Sequence, residues 1–233
     1  MSLPKTTLIL EAITIAVAGE LVSRTASAGA GKLLVFLHVA LKQRAFESEL
    51  QAAMPGVEVR AVGRLADFER ALGDGADAVL SLPPLLTAHG LTPKLQGLHG
   101  GSPDEKYSLV GAGTAPDPAR VAAVGALDLL GREGTNAFVY GLLGARPKVE
   151  RVTKFEDLLP LLQMQKVDAI VLPSRLLPEL TEASRLPLAP RELTKVVKLP
   201  AVASVGTGGN DVMAEVAHLS GKVAKTLGVD AWR

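Results

Sequence analysis

Short apolar runs alternate along this chain with segments whose apolar positions recur every three or four residues, and glycine or proline punctuates most of the joins. Residues 33–39 (LLVFLHV) are continuously apolar, the pattern of a strand buried on both faces. Residues 40–44 form a loop carrying Lys42, Gln43 and Arg44. A helix follows over 45–54, with Phe46, Leu50 and Ala53 on one side, and Pro55-Gly56 stops it. Residues 57–62 alternate as a strand. In 65–72, Leu65, Phe68 and Leu72 stand at helical spacing, and 73–75 make a turn. Residues 78–82 predict another buried strand, closed by Pro83-Pro84.

The second half repeats this texture. Residues 107–112 predict a strand, and 113–118 (GTAPDP) a crossover. In VAAVGALDLLGREGTNAFVYGLL, residues 121–143, an apolar strand ends at Asp128, Gly131 to Gly134 break the pattern, and a helix follows. Thr135 or Asn136 is the expected N-cap, because a short side-chain oxygen can accept from amides at a helix start. Such a strand–loop–helix corner is either a cradle for an anion at the helix tip or an ordinary turn shaped by its glycines. Residues 149–152 predict a strand, 155–165 a helix, and 168–172 a strand closed by Pro173. Residues 178–190 read as loop, 195–199 and 201–205 as strands. The chain ends in one helix starting near Asn210 or Asp211, its apolar face marked by Val212, Val216, Leu219, Val223 and Leu227.

Two of these stretches match in order and spacing. A strand, RLADFERAL, a turn and ADAVLSLPPLL correspond to a strand, KFEDLLPLL, a turn and VDAIVLPSRLL. A duplicated α/β unit follows. The expected fold is α/β and two-lobed, each lobe a mainly parallel sheet flanked by helices, with a cleft between them. The boundaries fall at 29–111 plus 201–233 for lobe one and 112–200 for lobe two.

Composition sharpens this only at the edges. A net charge of +1 gives no global attraction for nucleic acid or anionic membrane, and no RNA- or DNA-binding motif is present. The chain has no cysteine, which excludes disulfides, thiolate metal sites and a cysteine nucleophile. His38, His89 and His99, with Asp104 or Asp128, match no zinc spacing, and no G-x-S-x-G elbow occurs. No cofactor is called for. Residues 8–22 are mostly apolar, follow Lys5 and precede Ala26-Ser27-Ala28, a small-x-small site. They read either as a cleaved export signal spanning 1–28 or, given Glu11 and Glu20, as an amphipathic helix.

The segments LLVFLHVALKQRAFESEL, ADAVLSLPPLL, VGALDLLGREGTNAFVYGLL and VDAIVLPSRLL together resemble the type 2 periplasmic binding proteins, and within them the phosphate, phosphite and phosphonate receptors of ABC transporters. The resemblance implies two lobes that close over a solute without chemistry, a periplasmic location, a monomer, and an ABC-transporter permease as partner. Ligands of open α/β sheets bind beyond the carboxyl ends of the strands. Lobe one then offers His38, Lys42, Gln43, Arg44, Ser81 and Pro84. Lobe two offers Asp128, Arg132, Gly134, Thr135, Asn136, Ser174 and Arg175. Because arginine suits carboxylate and phosphonate, a small anionic molecule is the expected ligand. Two features depart from the resemblance or narrow it: Gly134-Thr135-Asn136 is not the Ser/Thr-rich pattern of phosphonate receptors, and no aromatic box is present for a quaternary amine. The same fold also hosts enzymes and cytoplasmic ligand-sensing domains, which is the alternative.

Overall fold

A computed structural model describes residues 31–233, so the candidate export segment lies outside the described residues. Lobe one begins with β1 (Gly31–Phe36), α1 (Gln43–Ala53), β2 (Val57–Ala61), α2 (Leu65–Gly73), β3 (Ala78–Ser81), α3 (Pro83–Ala88) and β4 (Pro93–Leu98). Then come β5 (Asp104–Ala112), β6 (Ala123–Leu127), α4 (Gly131–Leu143) and β7 (Lys148–Val152). A 3-10 turn, Phe155–Asp157, runs into α5 (Leu158–Gln163), followed by β8 (Ala169–Pro173). A second 3-10 turn, Ser174–Leu176, runs into α6 (Leu177–Ala183) and then β9 (Leu188–Lys198). The chain closes with β10 (Ala201–Ser204), α7 (Gly209–Ala217), α8 (Gly221–Leu227) and β11 (Ala231–Trp232).

The strands form two separate sheets, ordered β11-β4-β10-β3-β1-β2 and β7-β6-β8-β5-β9. Both are mixed. In each, three neighbouring strands are parallel (β2, β1, β3 and β7, β6, β8), and the next strand, β10 or β5, runs antiparallel. That fourth strand always arrives from the other lobe. The chain therefore crosses twice, at 99–103 between β4 and β5 and at 199–200 between β9 and β10. This corrects the expected boundary. Residues 104–112 belong to the second sheet, so the first crossing precedes β5 and 113–118 is a turn within lobe two.

The cores follow from the apolar patterns. In β1, Leu33 and Val35 face a cluster with Phe46, Leu50, Val212 and Leu227, while Leu34 and Phe36 face one with Phe68, Leu85 and Leu86. A six-residue strand covered on both sides has no room for alternation, which is why it reads as a plain apolar run. In lobe two, α4 packs Val139 and Leu142 against Val124, Ala126 and Val171, and α5 packs Leu158 and Leu162 against Ile170 and Leu172 on the other face.

The duplication is visible atom by atom. Asp77, ahead of β3, donates its amide to the Lys32 carbonyl and accepts from the Lys32 amide at 2.9 Å. Asp168, ahead of β8, donates to the Ala123 carbonyl and accepts from the Ala123 amide at 2.9 Å. A carboxylate taking backbone N–H bonds is stabilised in its charged form, and the Lys32 and Gly208 amides hold Asp77 below the usual carboxylate range.

Several elements differ from the sequence expectation. β4 carries one buried residue, Gly97, so no apolar run announces it. α6 and the first residues of β9 occupy the stretch read as loop, because few of their positions are buried. The C-terminal helix is two, broken at 218–220, where Gly221 adopts φ 63°. α4 starts at Gly131, several residues before the expected cap.

Candidate functional site

The two lobes meet over two cavities. The outer one, about 600 Å³, lies beyond the carboxyl ends of β1, β2 and β7. Lobe one contributes His38, Lys42, Gln43 and Arg44 after β1, and Arg64 and Asp67 at the start of α2. Lobe two contributes Thr153, Lys154 and Glu156. Lys42 and Arg64 are the N-caps of α1 and α2, and neither helix has a side-chain cap. Their first amides therefore point their donors and the positive end of the helix dipole outward. Lys42, Arg44, Arg64 and Lys154 are exposed, and none has an ion-pair partner among the described residues. Four cations face two carboxylates there, so the cavity is net positive.

The inner cavity is about 20 Å³, room for a single water. His38 lines it from lobe one, and Glu105, Tyr107 and Arg175 from lobe two, among leucines. The His38 ring nitrogens are closed to solvent and neither has a hydrogen-bond partner. Burial pushes its pKa down to about 4, against a weaker opposing pull from Asp128, so the imidazole is neutral at physiological pH. Arg175 donates Nε to Glu105 Oε1 and Nη1 to the Thr226 carbonyl of α8, at 3.1 Å. One guanidinium thus ties a lobe-two carboxylate to a lobe-one helix end. Burial raises the Glu105 carboxyl above its usual range, the pull of Arg175 working against it. Burial and then the Glu105 charge raise the Tyr107 hydroxyl.

The residues picked from the sequence separate into groups. His38, Lys42, Gln43 and Arg44 come together in the outer cavity, and Arg175 joins His38 at the inner one. Ser81 and Pro84 line neither, and the Ser81 hydroxyl is spent on the Phe36 carbonyl at 2.6 Å. Ser174 bonds Ser108 at 2.8 Å. Arg132 is exposed, Gly134 lies under the Leu130 side chain, and Asn136 has a buried Oδ1 without a partner.

Thr135 is not the N-cap. The cap position is Leu130, and Thr135 is fully buried one turn into α4. Its Oγ1 accepts from the Leu129 and Leu130 amides at 3.1 and 3.0 Å and donates to Asp128 Oδ1 at 3.0 Å. Arg151 donates to Asp128 Oδ2 at 2.6 Å. Two of the corner's backbone donors are therefore consumed by the chain itself, and Asp128 is already neutralised.

Sequence reasoning missed Arg64, Lys154, Glu105 and Tyr107. The first two were signalled by the repeat, since each opens its copy of the helical segment. The histidines weighed as a metal set lie apart, His89 on the Leu85 carbonyl and near Glu69, and His99 near Asp230. Among the described residues no three His, Asp or Glu gather in a metal-binding group.

No protein-family model matches the chain, and no curated protein sequence matches it. Solved structures do. The GluR0 ligand-binding core in complex with L-glutamate aligns with TM-score 0.61 at 16% identity, covering 87% of this chain and 98% of that one. The VFT2 domain of Bordetella pertussis BvgS aligns with TM-score 0.57 at 13% identity, over 85% and 91%. This is the two-lobed periplasmic-binding-protein fold. Holo ArgBP from T. maritima shares it with TM-score 0.52 at 15% identity, over 85% and 89%. Similarity at that level fixes the architecture and leaves the ligand to the site. Among the described residues no helix is long and apolar enough to cross a membrane.

Proposed function

We propose that this chain is a solute-binding receptor that takes a small anionic molecule into the outer cavity and performs no chemistry on it. The observation that carries this reading is the set of four unpaired cations, contributed by both lobes, around a cavity of about 600 Å³. That volume is within the range of small-molecule sites, and charge-assisted contacts from lysine and arginine are among the strong polar ones. Phosphate, phosphonates and carboxylates are the candidate chemistries, delivery to an ABC-transporter permease the expected role, and the periplasm the expected location. The neighbours support a receptor: one is a ligand-binding core in complex with L-glutamate, and another is holo ArgBP.

An enzymatic reading would use His38, Glu105 and Tyr107. Against it, the cavity those three share, at about 20 Å³, has room for a single water and is too small for a substrate.

A ligand that binds only the native state raises the melting temperature. A thermal-shift screen of the full chain against phosphate, phosphonates, carboxylates and amino acids is therefore expected to give anion hits, abolished in Lys42→Ala/Arg44→Ala. Hits confined to neutral or cationic solutes, or turnover of a hit, would overturn the reading.

A further inference from the structure

The duplication puts two cations at matching positions on opposite walls of the outer cavity. Aligning RLADFERAL with KFEDLLPLL sets Arg64 against Lys154, Leu65 against Phe155 and Phe68 against Leu158, and the last pair is fully buried in both lobes. The backbone agrees. Arg64 caps α2 with φ −127°, ψ 141°, and Lys154 caps the 3-10 turn before α5 with φ −128°, ψ 144°. Each side chain leaves an equivalent corner, and both line the same cavity without an ion-pair partner among the described residues.

We infer that Arg64 and Lys154 select a two-headed anion, a molecule with an acid group at each end, such as a dicarboxylate or phosphonocarboxylate, that bridges the lobes. The inference rests on the receptor reading and names the class of its ligand. Three observations carry it. Four cations against Asp67 and Glu156 leave two positive charges, which a dianion neutralises and an amino-acid zwitterion does not. The cations are divided between walls: Lys42, Arg44 and Arg64 on lobe one can hold one acid group, and Lys154 on lobe two can hold a second. The cavity, at about 600 Å³, is far larger than one tetrahedral anion.

Calorimetry on the full chain tests this with succinate, glutarate and phosphonoacetate against acetate, inorganic phosphate and L-arginine. The two-headed acids are expected to bind at least about tenfold more tightly than the one-headed ones, since each charged contact contributes on that order. Arg64→Ala and Lys154→Ala, both at exposed positions, should each remove about that factor for the two-headed acids, and Lys154→Ala should leave acetate nearly unchanged. If acetate or phosphate binds as well as succinate, or if Lys154→Ala leaves succinate affinity intact, the bridging inference falls. Should another solute then bind through Lys42 and Arg44, the receptor reading survives that failure. If no solute in either screen binds, both fall together.

Discussion

His38 is where residue-scale physics is most exposed. Its ring is buried without partners, with Glu105 and Arg175 lining the same inner cavity and Asp128 exerting the one favourable pull. The native state lowers the pKa from 6.5 to about 4, so between those values the unfolded chain binds the proton and the folded chain does not. Stability contributed by neutral His38 is thus complete above pH 6.5 and is lost as pH falls toward 4, up to about 3 kcal/mol. Denaturant titrations of wild type and His38→Gln across that window should show a shallower acid-side decline in the variant. Parallel curves would mean the imidazole is not desolvated. The sequence places His38 at a strand end and among the candidate ligand residues, but its burial is not legible there, because side chains of both lobes enclose it.

At the scale of elements, the start of α4 shows how a helix tip can be satisfied from within. Thr135 reaches back to two amides and across to Asp128, which Arg151 holds from β7. Replacing Thr135 by Val keeps the shape and strands those groups, and about 1–3 kcal/mol of stability should be lost in chemical denaturation. An unchanged midpoint would show that the amides find other partners. The same element explains what the sequence can and cannot deliver. β1, β3 and β8 are legible because a short strand covered on both faces must be apolar throughout. β9 is legible only at its end, 195–198, since along it only Leu193 and Val197 are buried. Gly131 to Gly134 read as a loop on glycine content, yet tertiary packing of Val139 and Leu142 carries the helix through them. In the site, the cations after β1 were legible as a loop cluster. Arg64 and Lys154 were not, because each reads locally as an ordinary helix-start charge, and only the pairing of repeats brings them into one cavity.

For the whole molecule, a guanidinium bridges the lobes beside apolar contacts in which Leu129 and Leu130 pack on lobe one. Arg175 bonds the Thr226 carbonyl across the gap, and its stem lies over Gly228, whose φ of 74° and lack of a Cβ both permit that approach. Arg175→Ala should let the lobes separate, read as a larger radius of gyration in small-angle scattering. Glu105→Gln, which leaves the bond to Thr226 in place, should scatter like wild type. Identical profiles for Arg175→Ala and wild type would mean that apolar contact alone holds the lobes together. A separation of this kind would have to bend the chain at the two crossings, 99–103 and 199–200, where it leaves one sheet for the other.

The exchange of fourth strands also dictates an order of assembly. β10 lies between β3 and β4, so until residues 201–204 have left the ribosome the first sheet is split down its middle. The second sheet needs nothing beyond Lys198. The lobe whose translation starts first is therefore the last able to finish, and a nascent chain halted just short of β10 would carry one completed sheet and one gap.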